Sequence, residues 1–240
     1  NINFLKFETF FTFEECLSFK NIKEFNGQQS GGRIVKYKDT FLLSLGEFRK
    51  RTLAQDKNSN FGKILQIDQN GKKIKNFSLG HRNPQGLFYD KENKVILSTE
   101  HGPLGGDEIN LIKENNNYGW PISSYGDHYD GSFKKNAPLY KSHKDYGFVE
   151  PLYFFNPSIG ISEIIKAEKF YDDIYNYYLV TSLRNKTLYI FKEDKNFVEF
   201  SIKDKVYIGE RIRDIIYYKE LDKYLMILEE TPAIVFLSKI

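Results

Sequence analysis

An all-β fold is predicted for this chain by three observations. Short strand-like runs recur along it, polar turns separate them, and no segment carries a long 3.6-residue apolar period between helix caps. The runs fall at 33–37, 40–45, 62–68, 86–89, 95–99 and 108–112, then at 177–181, 187–192, 197–202, 214–218, 224–229 and 233–237. Alternation is plain in Lys63-Ile64-Leu65-Gln66-Ile67. The turns Asp68-Gln69-Asn70-Gly71, Asp90-Lys91-Glu92-Asn93 and Glu193-Asp194-Lys195-Asn196 suit antiparallel hairpins. Phe and Tyr, 21 and 17 of 240 residues, push the same way, because aromatic side chains fit a pleated, half-buried surface.

Regularly spaced short strands permit a sandwich, a barrel or a propeller. The repeat here is a unit of three to four strands over about 40–50 residues, which fits propeller blades. Units are placed at 28–79, 80–158, 159–208 and 209–240, with 1–27 as the tail of an earlier blade. The whole of 1–240 is thus read as one partial propeller domain of roughly four to five blades, with sequence expected upstream. Residues 113–147 lengthen the second unit with a loop rich in Gly, Asn, Tyr and Ser, and long loops in compact domains are commonly functional.

Composition removes several function classes. A formal charge of +3, with Lys scattered among Asp and Glu, gives no basic stripe for nucleic acid. No apolar run reaches the length of a membrane span. The single Cys16 excludes an internal disulfide framework and a multi-cysteine metal site, and its apolar neighbours suggest a buried small hydrophobe. The chain opens at Asn1 and its only Met is Met226, so it reads as a processed product or a fragment.

Chemistry concentrates in 80–129. Gly80-His81-Arg82-Asn83-Pro84-Gln85-Gly86 offers a guanidinium fork and an amide, both suited to carbonyl or carboxylate oxygens. Alone it reads equally as a surface turn with a paired arginine. Glu100-His101-Gly102-Pro103-Leu104-Gly105-Gly106-Asp107-Glu108-Ile109-Asn110 lets backbone carbonyls converge on a hard cation, with Asp107 and Glu108 as carboxylate ligands. Alone it is a glycine-rich turn with solvated acids. Asn117-Tyr118-Gly119-Trp120-Pro121 and Ser124-Tyr125-Gly126-Asp127-His128-Tyr129 gather the only tryptophan with three tyrosines, where a flat cofactor or a sugar ring would stack. The alternative is an aromatic core patch beneath the loop.

The order of these motifs resembles the glucose/sorbosone dehydrogenase family, the aldose sugar dehydrogenases that use pyrroloquinoline quinone (PQQ) and calcium. The likeness extends upstream through Gly31-Gly32-Arg33-Ile34-Val35 and Ala54-Gln55-Asp56, and downstream through Pro157-Ser158-Ile159, Ser182-Leu183-Arg184 and Arg211-Ile212-Arg213-Asp214. It covers about residues 27 to 240; the first 26 residues match only by position.

The resemblance implies a six-bladed β-propeller with the quinone across its top. It implies that Arg82, Asn83, Tyr129, Arg184, Arg211 and Arg213 contact PQQ. It assigns the carbonyls of Gly102 and Pro103 to an active-site Ca2+, and Glu108 and Tyr118 to a second, structural Ca2+. A sugar substrate, an external electron acceptor and a periplasmic or secreted location come with it.

One position departs. Four residues before the Arg of the Gly-Gly-Arg motif the family carries a His general base, and here that place is held by Gln29. A neutral amide cannot take a proton in this way. His101 and His128 lie in the proposed site region, and Glu163 stands in Ile161-Ser162-Glu163-Ile164 where the family usually carries small residues, so all three are weighed as substitutes. For His128 and Glu163 a solvated or locally paired side chain is the competing reading. His101 belongs to the shared motif and so signals no new role, while His143 lies in a polar stretch with no other signal. Three readings therefore stand: an aldose dehydrogenase with an altered base, a propeller that binds calcium and quinone or glycan without turnover, and a purely structural or protein-binding propeller.

Overall fold

The structure is a computed structural model and describes residues 6, 8–16, 27–129, 139–168 and 171–238. Among the described residues the regular structure is strand, apart from three-residue and four-residue 3-10 turns. The first sheet contains β1 (Gly31–Tyr37), β2 (Thr40–Leu45), β3 (Lys63–Asp68) and β4 (Ile74–Leu79). The second contains β5 (Pro84–Asp90), β6 (Val95–Glu100), β7 (Asp107–Ile112) and β8 (Tyr153–Phe155). The third contains β9 (Ile161–Lys166), β10 (Asn176–Ser182), β11 (Thr187–Glu193) and β12 (Phe200–Tyr207). The fourth contains β13 (Ile212–Tyr218), β14 (Lys223–Leu228) and β15 (Ala233–Leu237). Each is an antiparallel meander in chain order.

The four sheets coincide with the four units read from the sequence. Their first strands stand side by side: β1 packs by β5, β5 by β9 and β9 by β13. This is the blade arrangement of a propeller. Three apolar clusters fill the spaces between neighbouring sheets. Leu42, Ile64 and Phe77 meet Leu87, Ile96 and Ile112 between the first and second. Leu97, Ile109 and Phe155 meet Ile164, Tyr178 and Phe191 between the second and third. Leu179, Leu188 and Ile190 meet Ile215, Tyr224 and Met226 between the third and fourth. Each fully buried aliphatic side chain contributes roughly 1.5–3 kcal/mol.

Sandwiching explains which strands the sequence displays. β10 is buried along its whole length, because sheets cover both of its faces. β1 and β15, which belong to the first and last sheets, alternate, since one face of each lacks such cover among the described residues. Three strands escaped the sequence reading. β4 and β8 are short edge strands with polar or clustered aromatic residues, and β9 carries Glu163 in its middle. The strand placed at 197–202 starts later, at Phe200, because Asp194 Oδ1 accepts from the Val198 and Glu199 amides and holds a turn there. Cys16 is exposed, which corrects the buried reading: its apolar neighbours do not enclose it. Most of 1–27, assigned to an earlier blade, lies outside the described residues, as does part of the 113–147 loop.

Candidate active site

The meander places every functional motif at one end of the sheets. The inner strands β1, β5, β9 and β13 all start there, so Gln29, Arg82, Asn83, Arg211 and Arg213 sit at that rim or in its first layer. Antiparallel pairing returns the β2–β3, β6–β7, β10–β11 and β14–β15 connections to the same rim. These carry Glu47, Gly102 with Pro103, Arg184 and Glu229.

Arg82 is the centre of the first cluster. Its Nη1 donates to the His101 carbonyl at 2.9 Å, and its own carbonyl accepts from the Glu47 amide at 3.0 Å. Its guanidinium lies 5.3 Å from the Trp120 ring centroid, and that of Arg51 lies 5.0 Å from the same ring. Trp120 is 4% exposed and carries these two cations, so it is not the open stacking surface the sequence suggested. Tyr118 is likewise buried, stacked on His81. Trp120 and Tyr118 are thus a core patch beneath the loop, while Tyr129 stays exposed.

Gln29 takes a left-handed conformation, φ 61°. Its carbonyl accepts from the Phe48 amide at 3.1 Å, and a Cβ on Gly46 would lie 1.9 Å from that carbonyl oxygen. Only glycine allows this crossing. With its amide oriented so that both ends are satisfied, the Gln29 nitrogen donates to Glu47 Oε1 and its oxygen accepts from Arg82 Nη2 at 2.7 Å. Glu47 is fully buried, and burial pushes its carboxyl up to about 7 against the pull of Arg82 and Arg51.

Asn83 joins this cluster to the arginine pair. Its Oδ1 accepts from Gly31 N at 3.2 Å and from Gln85 Nε2 at 3.0 Å. Gln85 Oε1 in turn accepts from Arg213 Nη1 at 2.9 Å. Arg211 and Arg213 share one carboxylate through their Nε atoms, with Glu229 at 2.9 Å and 2.5 Å respectively. Burial pushes Glu229 up, and the hydrogen bonds and charges of the two arginines outweigh it, so its carboxyl sits below the usual range. Arg184 is exposed, its backbone against Gly160. Tyr129 is 57% exposed, and its hydroxyl donates to the Pro103 carbonyl at 3.0 Å.

Asp107, read as a possible cation ligand, is committed elsewhere. Its Oδ2 accepts from the amides of Ile159, Gly160 and Ile161, and its Oδ1 from Gly102 N and Ser158 Oγ. It ties the glycine-rich loop to the third sheet. Glu108 differs. It borders a small cavity with Glu100, Tyr118 and His143. Asn110, whose Nδ2 donates to Glu108 Oε2 at 3.3 Å, has its Oδ1 buried without a hydrogen-bond partner. Two carboxylates and a tyrosine on one cavity, with an orphaned amide oxygen on the neighbouring Asn110, make a donor set of the oxygen type that calcium takes. Burial pushes Glu108 up against the opposing hydrogen bond from His143 Nε2 at 3.1 Å.

Of the substitute bases, Glu163 pairs with Arg33 at 2.6 Å, and Arg33 also reaches Asp214 at 2.9 Å. These three occupy the third position of β9, β1 and β13 or lie beside it, deeper along the inner strands than Gln29. His128 is buried and holds Arg51 Nη1 at 2.8 Å. His101 lies 4.0 Å from Asp107, and burial holds its pKa down. Sequence reasoning missed Glu47, Arg51 and Glu229, set His143 aside, and quoted Gln85 within its motif without giving it a role. Glu47 follows Ser44-Leu45-Gly46, a stretch that marked the blade and not a charge, and Glu229 sits beside Glu230 with no motif, so spatial proximity marks both.

Comparison with known proteins relates this chain to the sugar dehydrogenases. A family profile described as Glucose / Sorbosone dehydrogenase matches residues 8–235. The chain is 29% identical over 223 residues to the aldose sugar dehydrogenase YliI of Escherichia coli, covering 86% of this chain and 58% of that protein. Its fold matches the apo crystal structure of the soluble aldose sugar dehydrogenase from Escherichia coli with a TM-score of 0.72 at 25% identity, covering 84% of this chain and 61% of the other. It also matches the PQQ-bound aldose sugar dehydrogenase of Streptomyces coelicolor with a TM-score of 0.59 at 25% identity, covering 82% and 55%. The chain thus spans less than two thirds of the length of each of these relatives.

Proposed function

Since this chain belongs to the glucose/sorbosone dehydrogenase family, we propose that its protein oxidises aldose sugars at the anomeric carbon to lactones, using PQQ and Ca2+. The observation that carries this reading is the single rim that holds Arg82, Asn83, Arg211 and Arg213, where Gln85 joins Asn83 to Arg213 and Glu229 joins Arg213 to Arg211. Arginine forks held through Nε keep Nη hydrogens for a ligand, and a polycarboxylate quinone suits such a surplus of cationic donors. Arg82, Asn83, Tyr129, Arg184, Arg211 and Arg213 are the residues that would hold it. When bound, the quinone supplies the electrophile that takes the substrate's hydride, and Ca2+ supplies Lewis acidity.

The carbonyls of Gly102 and Pro103 would face the catalytic Ca2+, and Glu108 with Tyr118 would hold a structural one. Arg82 stabilises negative charge that develops beside it, from a nearly dry position that strengthens the effect. Gln29 orients and does not accept a proton. A periplasmic or secreted setting accompanies this reading; among the described residues no helix is long and apolar enough to cross a membrane. An external electron acceptor completes the cycle.

Gln29 favours a second reading, in which the propeller binds quinone and calcium without turnover. Full-length protein given PQQ and Ca2+ separates the two. The first reading expects the quinone's spectral shift together with dye reduction by aldoses. A shift without dye reduction supports the second, and no shift removes both.

A further inference from the structure

We propose that Glu47 receives the proton lost by the sugar's anomeric hydroxyl, with the Gln29 amide fixing one of its oxygens for the task. This rests on the proposed sugar oxidation. The geometry is specific. Glu47 Oε1 is held by Gln29, while Oε2 is buried without a hydrogen-bond partner. Buried carboxylate oxygens are nearly always paired, so an orphaned one is an open acceptor. The crossing of Gln29 over Gly46 and Phe48 locks the amide above this carboxyl, at the position where the family carries its base.

The surrounding charges suit proton exchange near neutrality. Arg82 faces Glu47 from the β4–β5 connection, and Arg49 and Arg51 from its own loop; His128 reaches Arg51 from the long loop after β7. Burial outweighs these cations and lifts the carboxyl to about 7, so both protonation states are populated at working pH. The step balances. Because Glu47 is fully buried, the hydroxyl proton reaches it through a water that enters past Gln29, and leaves it a neutral acid. The C1–H electron pair passes as hydride to the quinone oxidant, and the C1–O bond becomes the lactone carbonyl. Glu47 then returns its proton to solvent past half-buried Gln29.

The test uses the full-length protein and Glu47→Gln, which keeps the volume and an oxygen for the Gln29 amide. Three readouts are taken: the PQQ spectral shift, the pH profile of kcat/KM with aldoses, and the titration of buried carboxyls by infrared difference spectroscopy without cofactor. Wild type should show a limb rising through about pH 7 and a carboxyl titrating there. Glu47→Gln should keep the spectral shift, lose at least about 100-fold in turnover, and lose that infrared signal. Glu47→Asp, which guards against a folding failure of the first variant, should keep the limb at reduced kcat. Turnover of Glu47→Gln within about threefold of wild type overturns the assignment, as does an infrared titration without that carboxyl. Absence of the spectral shift in wild type defeats the sugar-oxidation reading instead, and the infrared titration still reports on Glu47.

Discussion

Glu47 and Glu229 each lie between two arginines, and their carboxyls move in opposite directions. Glu47, fully buried near Arg82 and Arg51, is lifted to about 7. Glu229, with 30% of its side chain exposed, is held below the ordinary range by Arg213 and Arg211. The difference is in the bonds. Glu229 accepts directly from both Nε atoms, whereas Glu47 accepts from no arginine side chain: the Gln29 amide meets one oxygen, the Arg49 backbone amide pulls the carboxyl down only in part, and Oε2 lacks a hydrogen-bond partner. Nearby cations stabilise a carboxylate only as far as direct hydrogen bonds and remaining water offset its desolvation. One rim therefore contains a carboxyl raised toward neutrality and one held below the ordinary carboxylate range.

The largest effect that would break this contrast comes from removing the buried cation. Arg82→Ala leaves Glu47 buried without its main positive neighbour, which should cost about 3 kcal/mol of stability at pH 8. At pH 6 the loss should be smaller, because Glu47 is then mostly the neutral acid. The wild-type sign agrees. A carboxyl whose folded pKa is raised to about 7 stabilises fully below its unfolded value, and that contribution fades as pH rises through 7. Urea unfolding of both proteins at the two pH values measures it; an equal loss at pH 6 and pH 8 would mean that Glu47 does not exchange its proton there.

A mid-sized effect sharpens the comparison at the same carboxyl. Gln29→His puts an imidazole against Glu47, giving a base at the rim with a carboxylate behind it. Turnover with aldoses should rise about tenfold, equivalent to about 1.4 kcal/mol of barrier. The acid limb of the pH profile should then follow the imidazole. Unchanged turnover and an unchanged limb would show that the amide never limited proton transfer.

How much of this was legible in the sequence follows the same division between local and spatial information. The blades were legible because period-two alternation and polar turns are local, and the four units agree with the four sheets. β9 was not, since Glu163 interrupts its apolar run and only the cross-channel Arg33 explains a charge there. The Arg82-Asn83 turn was legible through its motif. Its neighbours were not: Gln85 and Arg213 are 128 residues apart, and Gln29 meets Glu47 through a crossing that only Gly46 permits. Trp120 and Tyr118 advertised a stacking surface, yet the same residue types serve equally as core. Two guanidiniums over the indole decide the matter, and no spacing rule encodes them.

The smallest effect belongs to the exposed member of the pair. Glu229→Gln removes the charge and keeps the shape, so Arg211 and Arg213 lose a shared anchor that water partly replaces. Partly exposed ion pairs are worth about 1 kcal/mol or less, and the stability loss at pH 7 should stay within that. Its pH dependence must run opposite to that of Glu47. A depressed carboxyl contributes stability above its unfolded value and loses it as pH falls through the folded one, so wild type and variant should converge in acid. Quinone binding gives the sharper reading. Two arginines released from Glu229 carry more net positive charge but less fixed direction, so a change dominated by charge should strengthen PQQ binding at low salt only. A change dominated by positioning should weaken it at every ionic strength, and the Nε-anchored geometry points to that second outcome.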